Sequence, residues 1–490
     1  MIAINPRWRV LHLTWPAFFF SFVAWFSLVP FASTIGRSLN LSAEQVQTLL
    51  ICNVALTIPA RIAVGMLVDH FGPRRVYSAL LLAVAAPCVM CALASSYGQL
   101  VIARLLVSCV GAGFVVGIRL VGEWFDSREI GWAEGVYGGL GNFGMVGATF
   151  GLPLLALLFS PENGWRWAIG ISGVLCAIYG VVFYSNVSDA PEGKAFRKPK
   201  RRGALEVCSR GDLLALVFMQ APMILCMGIL AWKLAVLKLL SPAAAYAVYA
   251  ALAAVLVYQI VKIVRVNRSA WRNEPVEPDE RYAFSQVAIL CLCYVVTFGG
   301  ALAVESMLPA YFEKMFGVSV TAAGAMGAGF ALASLIARPL GGLLGDKYGR
   351  KPIIIISLLG ATAGLAAIGL IDERWPVWGA MAVVVVAGFF LMAGNGANFC
   401  IAPLIRKPLT GQIAGLIGAY GSVGSVMFLF ILSLAGPGMF FVSLTVVSAL
   451  AFGSCLLIRE PGREPIRSVV RPARASRVEM IDETIPAPAM

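Results

Sequence analysis

The amino-acid sequence predicts an all-α polytopic membrane protein made of two similar six-helix halves with an extra helix pair between them. Three observations carry this expectation. Of 490 residues, 59% are hydrophobic and only 13% charged, with a mean hydropathy of +0.84. A soluble domain carries about 25% charged residues, so most of this chain must lie in lipid. Apolar runs of about 20 residues, the length that crosses a bilayer, recur along the whole chain. Finally, Arg61, Gly65, Asp69 and Gly72 recur as Arg338, Gly342, Asp346 and Gly349, all at an offset of 277 residues.

The spans fall in order. The first half reads as helices near 12–34, 46–66, 76–96, 99–122, 133–157 and 165–184. A basic stretch follows, with Lys194, Arg197, Lys198, Lys200, Arg201 and Arg202. Two more apolar runs come near 213–240 and 243–264, and a charged loop then extends to about 282. Lys233 and Lys238 interrupt the first of them, so that segment reads either as a full span or as partly interfacial. Six further spans lie near 283–310, 319–343, 353–371, 376–399, 411–435 and 438–458. The expected organisation is thus a bundle over 1–184, a basic loop with the inserted pair over 185–282, a second bundle over 283–460, and a disordered tail over 461–490.

Charge sets the expected orientation. Arg74, Arg75, Arg128, the 194–202 cluster, Lys347, Arg350, Lys351, Arg406, Lys407 and the tail fall in alternate loops, and the opposite loops hold little beyond Arg37, Arg166, Lys314 and Arg374. The positive-inside rule makes the basic loops and both termini cytoplasmic. The net charge of +13 therefore belongs to membrane topology, and no nucleic-acid partner is expected. The first span, with Arg7 and Arg9 before it and no small-residue cleavage site after it, reads as retained. Most of the 11 cysteines lie inside apolar runs without metal-ligand spacing, so neither a disulfide framework nor a metal site is expected. No cofactor motif is present, and a monomer is expected.

The two arginines are the informative residues. A guanidinium in a spanning helix costs about 2.5–3.5 kcal/mol even on the lenient insertion scale, and arginine does not shed its charge to escape that cost. One such residue in each half points to an anion site near the membrane midplane. If Arg61 and Arg338 approach to about 7 Å at an effective dielectric near 20, their repulsion is roughly 2.4 kcal/mol, which a bound anion relieves. The loops Gly65-Met-Leu-Val-Asp-His-Phe-Gly-Pro-Arg-Arg75 and Gly342-Leu-Leu-Gly-Asp-Lys-Tyr-Gly-Arg-Lys351 resemble the cytoplasmic signature of the major facilitator superfamily. In them Asp69 and Asp346 are suited to face helix N-termini, and Arg74 and Arg350 to form a breakable gate. A second repeat, at offset 280, pairs Gly138, Gly141 and Gly144 with Gly418, Gly421 and Gly424. Glycine at i, i+3 and i+6 leaves a bare helical strip, suited to close packing or to sliding. Asn142 interrupts the first strip with a polar amide.

With Ala17 to Phe26, Pro59 to Ile62, Gly111 to Arg119, Glu123-Trp-Phe125, Gly138 to Gly144, Tyr294 to Gly299, Ala337 to Gly342, Gly394 to Phe399 and Gly418 to Gly424, the chain resembles the nitrate/nitrite porter family of that superfamily. The resemblance implies an alternating-access transporter, not an enzyme, in a bacterial cytoplasmic membrane and serving nitrate assimilation. It also implies that Arg61 and Arg338 clamp the anion, that Asn142 and Tyr294 help bind it, and that Phe114 and Phe298 flank its faces. A planar trigonal anion suits forked guanidinium donors. Ser334 stands where many members carry asparagine, which alters the support expected for Arg338. Arg119 is expected to pair with Glu123 or Glu134, whereas the role of Arg104 stays open.

Nitrate cannot carry a proton, so proton symport needs a titratable side chain in the path. Glu305, seven residues beyond Phe298, is the candidate, with an interfacial carboxylate as its plainer reading. Symport is favoured over nitrate/nitrite exchange, which needs no such group. Two other classes remain: an exporter of organic anions or drugs, and a receptor or enzyme, for which the chain has no nucleotide loop, catalytic set or metal cluster.

Overall fold

The computed structural model describes residues 5–160, 163–201, 203–272, 274–277, 280–318 and 320–460. The expected tail from 461 onward and Arg202 lie outside these. Among the described residues every regular element is helical.

Among the described residues twelve segments are long and apolar enough to cross a membrane, and α10 below is a further long helix outside that count. The first half comprises α1 (Pro6–Ser38), α2 (Ala43–Phe71), α3 (Pro73–Leu93), α4 (Tyr97–Trp124), α5 (Ile130–Leu157) and α6 (Gly164–Asn186). An inserted pair follows, α7 (Arg210–Val236) and α8 (Pro242–Val266). The second half begins with α9 (Phe284–Leu308), then α10, a 29-residue helix over Val320–Tyr348. It continues with α11 (Arg350–Gly369), α12 (Val377–Ile405) and the last segment, Lys407–Cys455. That segment breaks at Gly436, where φ is 77° and Pro437 follows, so it is two helices, α13 before the break and α14 after it.

Local chemistry explains the boundaries. Ser42 caps α2 through a full capping box with Gln45, and Ser96, Ser209 and Ser241 cap α4, α7 and α8. Gly72 and Gly349, the last repeat positions, have φ of 89° and 108°, a region that costs other residues strain. There α2 and α10 stop and α3 and α11 begin at once, so the repeated loop is a tight reversal of the chain.

The inserted pair is asymmetric in its packing. Helix α7 docks across the flank between the halves: Tyr420 donates to the Met219 carbonyl at 2.8 Å, Trp232 meets Phe430 edge-on at 6.0 Å, and Lys233 lies 3.9 Å from Glu44. Helix α8 buries only Ala245 and Ile263, and its apolar remainder suits contact with lipid. Lys233 and Lys238 are the residues that interrupt this apolar run, and Lys238 lies beyond the end of α7. Lys233 is the one within it. It lines a cavity between the halves, which supplies the polar surroundings an ammonium needs within a span.

The halves meet along two seams. Helix α5 lies on α10 through Gly131, Gly135 and Gly138, and α13 lies on α2 through Gly411, Gly415 and Gly418, with each glycine 280 residues from its counterpart. A Cβ at Gly135 would fall 2.6 Å from Pro339 Cα, and one at Gly415 would fall 2.5 Å from the Arg61 carbonyl oxygen. Side chains are excluded here because the opposing surface is backbone, which does not yield. Both seams run towards the end of the molecule that carries Arg74, Arg75, Lys347, Arg350, Lys351, Arg406 and Lys407, called the basic end below.

Candidate functional site

At the basic end the two repeated aspartates close the seams. Asp69 accepts from the Gly411 and Gln412 amides, both at 2.9 Å. Asp346 accepts from the Gly131 and Trp132 amides at 3.0 and 2.8 Å. Each carboxylate thus sits at the N-terminus of a helix in the other half, where unpaired amides and the helix dipole favour an anion by about 0.3–2 kcal/mol. The cations serving them come from different places. Arg119 on α4 donates to Asp69 at 2.9 Å, to Glu123 at 2.5 Å and to the Arg197 carbonyl at 2.8 Å. Arg350 donates to Asp346 at 2.9 Å and across to the Ser127 carbonyl at 2.5 Å.

Two expectations change at this end. Arg119 pairs with Asp69 and Glu123, while Glu134, one helix away on α5, is not its partner. Arg74 stays within its own half, its amide donating to Asp189 at 2.7 Å and its Nε to the Tyr184 carbonyl at 2.6 Å. The reason is positional: Arg350 is first in its helix and Arg74 second, so the two side chains leave the reversal in different directions. Asp346→Asn is expected to loosen the basic end, because the neutral amide loses the charge that two helix-terminal amides and Arg350 hold. A shift of about 1–2 kcal/mol raises the open population about 5- to 30-fold. Thiol labelling of Cys400, which is buried near Glu134, Arg350 and Asp346, would rise accordingly, and unchanged labelling would remove this role.

Above the aspartates lie the two arginines, both fully buried. Each guanidinium crosses the seam to lie over an aromatic ring of the other half: Arg61 over Phe298 and Arg338 over Phe114, both at 4.8 Å. Gly138 and Gly418 make the space for them. A Cβ at Gly138 would strike the Arg338 guanidinium, and one at Gly418 would come within 3.0 Å of Arg61 Cδ. Arg61 also donates to the Gly418 carbonyl at 2.5 Å and to the Gly111 carbonyl at 3.4 Å. Among the described residues no carboxylate pairs with either arginine. Desolvated cation–π contacts of this kind contribute about 2 kcal/mol each, which offsets part of the burial cost.

The aromatic walls are continuous. Tyr294 stacks on Phe298 at 5.0 Å, Phe114 stacks on Tyr137 at 5.9 Å, and Phe399 meets Tyr294 and Phe114 edge-on at 4.6 and 4.7 Å. Several buried polar atoms here have no protein partner: Arg338 Nη1, Tyr294 Oη, Asn142 Oδ1 and both side-chain atoms of Asn395. Tyr294 is directed towards Arg338 and Asn395. Buried polar groups are normally satisfied, so the unspent donors among them, Arg338 Nη1, Tyr294 Oη and Asn395 Nδ2, beside two cations without a carboxylate make a place suited to a small anion.

Of the residues singled out in the sequence, Arg61, Arg338, Tyr294, Phe114 and Phe298 come together. Asn142 lies one turn beyond Gly138 and is half-buried. The six glycines divide. Only Gly138 and Gly418 face the other half; Gly141 and Gly144 lie against Phe18, Phe19 and Phe22 of α1, and Gly421 and Gly424 against Tyr294, Val295 and Phe298 of α9. Sequence reading missed Phe399, Asn395 and Tyr137, because an aromatic or amide inside a span carries no local signal of what it faces. Arg104 gains an explanation. It donates to Asn53, to the Trp25 carbonyl at 2.5 Å and to Ser27 at 3.4 Å, and so ties α4 to α1 and α2.

Towards the other end the halves part around a cavity of about 610 Å³ lined by Phe26, Gln47, Asn53, Thr149, Lys233 and Glu305, among others. Glu305 lines this cavity. The backbone over Val295–Gly300 is π-helical, so the seven residues from Phe298 to Glu305 do not make two regular turns along one face.

Comparisons with known proteins agree with this architecture. The sequence profile of the Major Facilitator Superfamily matches residues 14–272 and 290–484. The chain is 45% identical over 470 residues to the nitrate/nitrite transporter NrtP of Nostoc punctiforme, covering 94% of both chains. It is 26% identical to the high affinity nitrate transporter 2.7 of Arabidopsis thaliana over 87% of this chain and 78% of the relative. Among solved structures, the human organic anion transporter MFSD10 superposes with a TM-score of 0.65 at 15% identity, covering 92% of this chain and all of that one. The proton:xylose symporter XylE superposes with a TM-score of 0.61 at 15% identity, over 91% of this chain and 94% of that one. At such identity these two bear on the fold alone. With twelve or more spanning segments, two half-repeats and a profile match over most of its length, the chain is a multi-pass membrane protein of the nitrate/nitrite porter family of the major facilitator superfamily, a family of transporters and not of enzymes.

Proposed function

We propose that this protein carries nitrate and nitrite across the bacterial cytoplasmic membrane by alternating access, with its basic end and both termini on the cytoplasmic side. The observation that carries this reading is the reciprocal pair of guanidiniums, each laid on a ring of the opposite half and neither neutralised by a carboxylate. A planar anion between them takes donors from Arg61, Arg338, Tyr294 and Asn142 in its plane and rests its faces on Phe114 and Phe298. Binding relieves the repulsion that holds the two cations apart and draws the halves together. Reopening at the basic end then breaks the Asp69 and Asp346 contacts and releases the anion inward. The names of the relatives support the same substrates, and in this reading the protein works as a monomer in nitrate assimilation.

Uptake of labelled nitrate into proteoliposomes, competed by nitrite and by bulky organic anions, tests it. Competition by nitrite alone supports the reading. Competition by the organic anions would favour an organic-anion exporter instead.

Proton symport is the coupling we favour, with Glu305 loading the proton from the outer cavity. Glu305→Gln is then expected to abolish accumulation driven by a pH gradient while nitrate–nitrite counterflow persists, since exchange needs only anion binding and reorientation of the loaded carrier. Undiminished gradient-driven accumulation in this variant would exclude Glu305 from coupling.

A further inference from the structure

Among the described residues Glu134 is the one buried carboxylate between the arginine pair and the basic-end closure, and it has no part in the steps above. It is 2% exposed, and neither of its oxygens has a hydrogen-bond partner among the described residues. Its place follows from α5. Three residues before it, the Gly131 amide holds Asp346; the next residue, Gly135, abuts the Arg338 carbonyl; one turn later, Gly138 abuts the Arg338 guanidinium. Glu134 therefore lies on the face of α5 that packs on α10, between Asp346 and Arg338. The charged and titratable groups around it are Arg338 and Asp346 on α10, Arg350 on α11 and Cys400 in the last turns of α12. Asp346 is already satisfied by two amides and Arg350, whereas Glu134 has nothing.

We propose that Glu134 is the internal counter-ion that takes the anion's place at Arg338 when the carrier is empty, and that it holds a proton whenever the anion is bound. The proposal rests on the reading of the protein as a nitrate/nitrite carrier. A carboxylate anion buried without hydrogen bonds is costly unless a cation neutralises it. With nitrate on the arginines, Arg338 is already satisfied and Glu134 is held neutral. Once the basic end opens, nitrate and the proton leave together, and the carboxylate swings onto Arg338. The balance is one proton per anion. Two arginines with nitrate and a neutral Glu134 leave one net positive charge in the core, and two arginines with ionised Glu134 leave the same. Loaded and empty carriers then cross with equal core charge, and neither meets two uncompensated guanidiniums. On the outer face a proton reaching Glu134 past the arginine pair frees Arg338 for the next anion.

The test is nitrate binding to the purified full chain in detergent as a function of pH, read together with proton uptake in weakly buffered solution. Ionised Glu134 competes with nitrate for Arg338, so the wild-type Kd is expected to rise about tenfold per pH unit above the titration of this group, with one proton taken up per nitrate bound. Glu134→Gln is expected to bind tightly with a Kd constant to within about threefold over that range. In proteoliposomes it retains counterflow and loses accumulation driven by a pH gradient. Glu134→Asp restores the pH dependence. Persistence of the wild-type pH dependence in Glu134→Gln, or intact accumulation, would overturn the proposal. So would wild-type binding without proton uptake, which settles the matter even if the glutamine variant does not fold. A wild-type protein that binds no nitrate at any pH would instead defeat the nitrate reading itself.

Discussion

Arg338→Lys and Arg61→Lys are each expected to lower kcat/KM for nitrate uptake by on the order of 10²-fold, with expression and membrane insertion unchanged. Lysine keeps the positive charge but loses the planar fork. At Arg338 that removes the donor Nη1, which has no protein partner, and the flat contact with Phe114 at 4.8 Å. A charge-assisted hydrogen bond contributes about 1.5–3 kcal/mol, and a desolvated cation–π contact about 2 kcal/mol, so a loss near 3 kcal/mol is the expected net after partial compensation. Such a loss corresponds to roughly 10²-fold in kcat/KM. The comparison separates geometry from electrostatics, because an attraction that depended on charge alone would survive in both variants. Uptake within a few-fold of wild type in either would eliminate the clamp.

The second large effect concerns the seams. Gly415→Leu is expected to abolish transport while leaving a folded protein that still binds nitrate. Its Cβ would sit 2.5 Å from the Arg61 carbonyl oxygen, and only separation of α13 from α2 relieves that contact. Overpacking of this kind costs about 1–3 kcal/mol, but it is felt only where the halves are closed at the basic end, so the protein shifts to the state open there. Thiol labelling from the basic side should rise, and labelling within the opposite cavity should fall. Gly141→Leu is the control: its Cβ strikes Phe18 of its own half, a contact present in every state, so reduced yield of folded protein is expected. If Gly415→Leu also lost its fold, the seam would be ordinary packing and not a moving surface.

The arginine pair and the aspartate loops were legible because each violates what a spanning helix otherwise contains, or recurs at a fixed offset, whereas Phe298 was named only through the family resemblance. Arg61 and Arg338 announce themselves by the energetic cost of a charge in lipid. Gly141, Gly144, Gly421 and Gly424 were equally visible, but the spacing of bare positions says only that something comes close. Phe399 and Asn395 stood in a motif of the resemblance but were not singled out as site residues, because their value lies in the rings and guanidinium beside them. Glu134 was read as one of two alternative partners for Arg119, and the structure gives that place to Glu123, together with Asp69.

By itself the sequence determined the membrane-spanning class, the two-fold repeat, the extra pair and the presence of one repeated intramembrane arginine, Arg61 or Arg338, in each half. These are properties of composition and period, and lipid enforces them on each helix separately. Only the tertiary structure decided that the arginines cross between the halves, which glycines form the seam, that Arg350 and not Arg74 reaches across it, and that Lys233 and Glu305 line the cavity. Those facts depend on how helices distant in sequence are rotated about their axes. That rotation is set by packing against neighbours, and no local pattern of residues records it.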